Sequence, residues 1–410
     1  MSKRQLLALF LCSLIPWTIG NGIAPLLPVQ AAGLGATQAV AGYCLSLSYL
    51  AMAAGSMSAG WLSDRFRRRK IPALVAGLAS IPALWLMGQA TTLWGLAVAL
   101  AVWFFCAGLT VALISIAAGL CAEGGNRGKV FGLLALTAEL GALFGGGLAG
   151  PIADRWGYAS MYTVLSLIGV LGPLAGLLWQ EGGVATTPSP KAVPARRGAG
   201  LGKSFHLLFV ASLGVAVASF VFFLGRSFAM ADLGFDAAAL SSAGAIGGAI
   251  ALPVPLLAGW LSDRLGRKRF VAFSFLATTA GLLALSASTA LWHFWAASIL
   301  FTLSFVGGPV GSALVTDLVP REALSRGLAM YSATTWLGGI AGCALTGCAA
   351  QGLGTTPTLI AGALLPLLAA GLLAPIGLHK RAAADVPGHL EKVSPADLLP
   401  TRLPAVPAVD

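Results

Sequence analysis

The sequence predicts an all-α integral membrane protein of two six-helix halves, and three observations carry that reading. Of 410 residues, 57% are hydrophobic and only 10% charged, with a mean hydropathy of +0.87, whereas a soluble domain carries about 25% charged residues. Twelve apolar runs approach the ~20 residues that a helix needs to cross a bilayer. The chain is also written twice: G-W-L-S-D-R-F-R-R-R-K, from Gly60 to Lys70, returns as G-W-L-S-D-R-L-G-R-K-R, from Gly259 to Arg269. Asp64 and Asp263 stand 199 residues apart, and the same offset carries Glu123 to Glu322, Arg127 to Arg326 and Gly128 to Gly327. Landmarks that keep register over such a distance mark an internal duplication.

Taken in order, the first six runs fall at 5–28, 38–61, 71–89, 93–120, 129–150 and 158–179. Lys3 and Arg4 resemble the charged start of a signal peptide, but the run from Leu6 to Pro28 is too long for a signal core, so it reads as an uncleaved first span. The second six fall at 205–229, 238–260, 270–288, 291–317, 328–349 and 357–378. With the N-terminus inside, every Lys and Arg of the chain except Arg155 and Arg226 falls in a cytoplasmic segment. That asymmetry is the positive-inside signal and puts both termini in the cytoplasm. It also accounts for the net charge of +11 without nucleic acid, which is not an expected partner.

The sequence therefore divides into an N-terminal bundle (1–180), a cytoplasmic linker (181–203), a C-terminal bundle (204–379) and a tail (380–410). The linker is rich in Gly and Pro with four cations, the composition of a flexible connector. The tail has five prolines, four acids and no periodic apolar face, and is expected to be disordered. Pro253 and Pro255 in the eighth run, Pro309 after Gly307 and Gly308 in the tenth, and Gly145, Gly146 and Gly147 in the fifth weaken the helix ladder or thin the helix surface. Such clusters suit surfaces that slide or rock against a neighbour. Six cysteines scattered through apolar runs read as packing residues rather than disulfides or metal ligands.

Twelve spans as six plus six, a basic central loop, and G-x-L-S-D-R-x-G-R-[RK] between spans 2 and 3 and again between 8 and 9 resemble the major facilitator superfamily of secondary transporters. The resemblance covers about residues 5–379 and implies two six-helix bundles related by pseudo-two-fold symmetry. The second copy keeps the pattern through Gly259, Leu261, Ser262, Asp263, Arg264, Gly266 and Arg267; the first keeps Gly60, Leu62, Ser63, Asp64, Arg65 and Arg68 but has Arg67 in place of the glycine. The resemblance implies that this cluster latches the two halves in the outward-facing state and releases as the cytoplasmic side opens. The acids within reach of Arg68 and Arg267 are Glu123, Asp317 and Glu322; the bland alternative is that these charges only enforce topology.

The resemblance also implies that spans 1, 4, 7 and 10 line the substrate cavity, which nominates Trp17, Asn21, Trp103, Phe104, Phe222 and Phe301, joined by Trp336 of span 11. Aromatics with few polar groups suit amphipathic or cationic ligands. The drug–proton antiporters of the superfamily carry a span-4 arginine where this chain has Phe104, and a proline in the span-5 glycine motif where it has Gly146. The antiporter signature is thus degenerate here.

One acid lies deep in a span. Glu139 is ten residues into span 5, about 15 Å from its start at 1.5 Å per residue. A carboxylate at that depth must be protonated, paired or facing a wet cavity, so Glu139 is either a proton-coupling or substrate-contacting acid, or a permanently protonated structural one. Its repeat counterpart is Gly338, so the charge is not part of the duplicated scaffold. Arg226, in the outer part of span 7, anchors an anionic substrate, pairs with Glu139 across the halves, or snorkels to the surface.

Enzyme chemistry finds no constellation: the four histidines are far apart, and no G-x-S-x-G or phosphate-cradling loop occurs,. No cofactor or metal is expected. The sequence thus predicts a secondary transporter, first a proton-coupled exporter of an amphipathic compound, monomeric in a bacterial inner membrane. The alternatives are uptake or facilitated transport of an organic anion held by Arg226, or a transport-inactive membrane receptor.

Overall fold

The computed structural model describes residues 3–66, 68–121, 127–179, 200–254, 264, 266–320 and 323–376. They belong to one compact unit, Met1–Ile376; a second unit, Gly377–Asp410, lies outside the described residues, as does the linker up to residue 199. Helices α1 (Lys3–Ile23), α2 (Leu27–Gly33), α3 (Gln38–Phe66), α4 (Lys70–Gly88), α5 (Leu93–Cys121) and α6 (Arg127–Leu177) form the first bundle. The second contains α7 (Lys203–Asp232), α8 (Ala237–Ala251), α9 (Arg267–Ser286), α10 (Leu291–Thr302), α11 (Gly307–Leu318), α12 (Leu324–Leu353) and α13 (Thr355–Leu373). Among the described residues, ten helices are long and apolar enough to cross a membrane.

The twelve sequence runs map onto these helices with three instructive differences. Span 1 is followed by a separate short helix, α2, whose Gln30 accepts a 2.6 Å hydrogen bond from the Tyr162 hydroxyl and donates to the Met87 carbonyl. Span 10 is divided: a 3-10 turn at Leu303–Val306 separates α10 from α11, and Pro309 falls in the first turn of α11, where its missing N–H costs nothing. In span 8, helix α8 ends at Ala251 and a turn follows at Leu252 and Pro253.

Spans 5 and 6 are the two limbs of α6, joined at Gly157 with φ 79° and ψ 168°. Gly354, with φ 91°, makes the same joint between α12 and α13. Positive φ without a Cβ lets the chain reverse there with no loop.

The pairings repeat in both bundles. In the first, α1 packs on α6, α3 on α5, and α4 on α5 and α6; in the second, α7 packs on α12 and α13, α8 on α10, and α9 on α10 and α13. Water is not the driving force for such packing in a bilayer; close van der Waals fit and polar ties are. Ser13 and Thr137 share a buried 2.8 Å hydrogen bond between α1 and α6. Gly141 and Gly145 let α6 approach the α1 backbone at Trp17 and Thr18. Exposed Trp61, Trp94, Trp156 and Trp292 sit near span ends, where indole rings favour the lipid–water boundary.

The bundles meet chiefly through two helix pairs that exchange under the repeat, α6 with α8 and α3 with α12. The ties sit toward the end where α3 and α8 begin: the Ser46 hydroxyl donates to the Ile340 carbonyl at 2.7 Å, and the Ala39 amide to Gln351 Oε1 at 3.1 Å. The fifth-span glycines separate by role. Gly145 serves contact within its own bundle, Gly146 faces Ser241 and Ala245 of the other, and Gly147 faces open space. Only the middle one of that triplet therefore belongs to a surface between the halves.

Candidate functional site

Between the bundles lies a cavity of about 330 Å³, large enough for a drug-sized molecule. Its walls include Trp17, Asn21, Trp103, Phe104, Glu139, Phe222, Arg226, Phe301 and Trp336, so the fold brings together every aromatic, acid and cation singled out in the spans. The residues come from α1, α5, α6, α7, α10 and α12, three helices from each bundle.

The aromatic wall is tightly organised. Phe222 and Phe301 stack with centroids 4.0 Å apart and planes at 7°, and Trp103 meets Phe104 edge-on at 5.1 Å. Tyr49 bridges the halves edge-to-face, 5.6 Å from Phe104 and 4.6 Å from Phe220. Such pairs contribute about 0.5–1.5 kcal/mol beyond burial. Sequence reasoning missed Tyr49 because its helix, α3, is not among those expected to line the cavity. Its sequence signal was present: it is one of five tyrosines in the chain and lies mid-span.

Three of the polar side chains on this wall are those singled out in the sequence. Asn21 donates to the Ala138 carbonyl at 3.1 Å, tying α1 to α6 one residue before Glu139. The Glu139 carboxyl lines the cavity and has no hydrogen-bond or ion-pair partner among the described residues. Its backbone is pressed on from the other bundle: a Cβ at Gly248 of α8 would lie 2.8 Å from the Glu139 carbonyl oxygen. The acid therefore stands where the two halves cross.

Arg226 is 6% exposed. Its Nη1 donates to Ser298 Oγ at 2.9 Å, and its guanidinium carbon lies 5.8 Å from the Phe222 ring centre. Two of the readings open to it in sequence are thereby corrected. It does not snorkel, because α7 turns it into the bundle, and it does not pair with Glu139, because Ser298 holds it to its own half.

The motif loops are seen in part. Arg267 Nη1 lies 2.9 and 3.1 Å from the two Asp317 oxygens and donates to the Ala313 carbonyl at 3.2 Å. This is a tie within one bundle, between α9 and α11. Arg68 is exposed, and Arg69 Nε donates to Ser63 Oγ at 2.8 Å. Gly60 and Arg65 lie in α3, Arg264 is helical, and Gly266 precedes α9 with φ 95°. Glu123, Gly259, Asp263 and Glu322 lie outside the described residues, as does the Asp64 side chain.

Two motif cations have a further structural use. Lys70 Nζ donates to the Leu177 carbonyl at 2.9 Å, and Lys268 Nζ to the carbonyls of Ala374 and Ile376 at 2.9 and 2.8 Å. Each cation closes the C-terminal end of the last span of its bundle, where the helix dipole is negative.

The Arg267–Asp317 pair is part-exposed on both sides, at 33% and 39%, so its Coulomb energy is screened. Asp317→Asn is expected to cost about 0.5–1 kcal/mol of stability. The check is thermal unfolding at low and high salt: the gap from the parent should shrink as salt rises, and a gap independent of salt would contradict an ionic contribution.

Two duplicated six-helix bundles around an aromatic cavity, with an acid and a cation inside the spans, define a polytopic membrane transporter rather than an enzyme. The Major Facilitator Superfamily model matches residues 6–254 and again 205–405, and the chain belongs to that superfamily. It is 27% identical over 362 residues to the class G tetracycline resistance protein of Vibrio anguillarum, covering 83% of this chain and 89% of that one. An uncharacterised transporter of the same superfamily from Bacillus subtilis is 29% identical over 117 residues, 28% of each chain.

Solved structures share the fold. A bacterial homologue of the human lysosomal transporter Spinster superposes with a TM-score of 0.72 at 18% identity, covering 91% of this chain and 97% of that one. The nucleoside transporter NupG gives 0.74 at 14% identity, covering 91% and 98%.

Proposed function

We propose that the protein exports an amphipathic small molecule in exchange for protons, by alternating access of one central cavity. The observation that carries this reading is Glu139: an unpartnered carboxyl in an aromatic-walled cavity, on a helix pressed directly against the opposite bundle. A group that takes a proton on one side and yields it on the other needs that kind of position. The likeness to a tetracycline resistance protein supports export. The skewed distribution of Lys and Arg supports cytoplasmic termini in a bacterial inner membrane. With that orientation the end where α3 and α8 begin faces outward, and the motif loops gate the inner side. A single chain encloses the cavity, so a monomer suffices, with protons, the substrate and lipid as its partners.

The test is flux in proteoliposomes with lipophilic cations (ethidium and tetraphenylphosphonium) and an aromatic acid (2-naphthoate) as probes. A molecule exchanged for protons should accumulate in vesicles whose lumen is acidic and leak out when nigericin collapses the gradient. Accumulation that is indifferent to nigericin, or that follows protons inward, would overturn exchange.

A further inference from the structure

Arg226 is spent on only one of its edges. A guanidinium carries five N–H donors in a rigid plane. Nη1 is engaged by Ser298, and the opposite edge, Nε with Nη2, has no partner among the described residues. Nε is wholly buried. That edge is the one that receives the two oxygens of a carboxylate side by side. Leaving it unmatched inside a bundle is costly, and the aromatic pair Phe222–Phe301 lies alongside it.

Glycine leaves room beside Nη2. The direction a side chain would take from Gly244 of α8 leads to Arg226 Nη2, 3.5 Å from a Cβ placed there, and Gly244, Gly247 and Gly248 all line the cavity.

We propose that Arg226 anchors a carboxylate of the transported molecule through its Nε–Nη2 edge, with the aromatic body of the molecule against Phe222 and Phe301. The substrate class is then an amphipathic aromatic acid or zwitterion rather than a simple lipophilic cation. Ser298 is the positioning residue that holds the plane. This deepens the reading of the cavity as the substrate site and rests on it, but it is independent of proton coupling through Glu139.

The experiment is equilibrium dialysis of purified protein with two matched pairs, 2-naphthoate against 2-naphthamide and benzoate against benzamide, with no gradient present. The wild type should bind each acid at least tenfold more tightly than its amide. Arg226→Gln should abolish that preference while leaving amide binding within twofold, which shows an intact cavity. Arg226→Lys keeps the charge but loses the fork, and should lose most of the preference as well. Gly244→Ala places a methyl beside the edge without touching the charge and should weaken the acids selectively. Gly147→Ala, outside the cavity and facing open space, should retain the preference. Binding without acid preference, or acid binding unchanged in Arg226→Gln, overturns the anchor alone. Failure of both members of both pairs to bind the wild type overturns the site reading and the anchor together.

Discussion

Glu139→Gln is expected to retain substrate exchange and lose uphill transport. The substitution keeps the shape and a hydrogen-bonding end but fixes the side chain neutral, so no proton can be released on either side. A gradient of one pH unit supplies about 1.4 kcal/mol per proton, which supports roughly tenfold accumulation when one proton is exchanged. In the variant the accumulation ratio should fall to about one, while counterflow of preloaded substrate continues at a comparable rate. The site explains why the effect should be this clean: the carboxyl has no partner to lose among the described residues, so neutralising it strands no buried cation there. If the variant accumulates substrate as well as the parent, Glu139 is a structural acid and coupling lies elsewhere.

Gly150→Ala is expected to disfavour the conformation described here by wedging the bundles apart. A Cβ at Gly150 would collide with Ser241 Oγ and the Ala237 carbonyl oxygen and lie 2.7 Å from Ala238 Cα. These atoms open α8, whose first amides are closed by carboxylates from both halves. Asp154 accepts from the amides of Ala237 and Ala238 at 2.9 and 2.6 Å, and Asp236 from that of Ala239 at 2.8 Å. An anion at a helix N-terminus is favourable, so this end of the interface is fixed by backbone and charge and cannot yield by rotating a side chain.

Overpacking of this kind costs about 1–3 kcal/mol, enough to shift a two-state equilibrium roughly five- to 150-fold. Spin labels at Thr37 and Gly352, on opposite bundles near this end, should move apart in Gly150→Ala and transport should slow. Gly147→Ala, on the same helix but facing open space, is the control and should do neither. Unchanged label distances in Gly150→Ala would show that the contact is not a barrier to closure.

Much of this architecture is legible in the chain because a bilayer allows few solutions. Backbone groups in hydrocarbon must be satisfied within the segment, so an apolar run of sufficient length is a helix, and its flanking cations orient it. The duplication was read from Asp64 and Asp263, and it reappears in the pairing of helices. That Glu139 lies inside a helix, away from its ends, follows from the length of the apolar run around it. The breaks were less legible: Pro309 marks a disturbance in span 10, but the 3-10 turn lies before it, at Leu303–Val306. Lys70 and Lys268 read as topology signals, yet they also close helix ends more than 100 residues away in sequence, which no local pattern can show.

The sequence by itself determined that the chain crosses a membrane in two related halves, and which residues within the spans carry charge, because length, polarity and repetition are properties of the string. Only the tertiary structure decided which way those residues face. It turned Arg226 inward onto Ser298, left its Nε–Nη2 edge unspent, brought Tyr49 between the halves, and divided three consecutive glycines among a bundle interior, an interface and open space. The physical reason is that facing depends on helix rotation and crossing. Those are set by close packing between segments distant in sequence, and a hundred-degree step per residue turns any small error in rotation into a different neighbour.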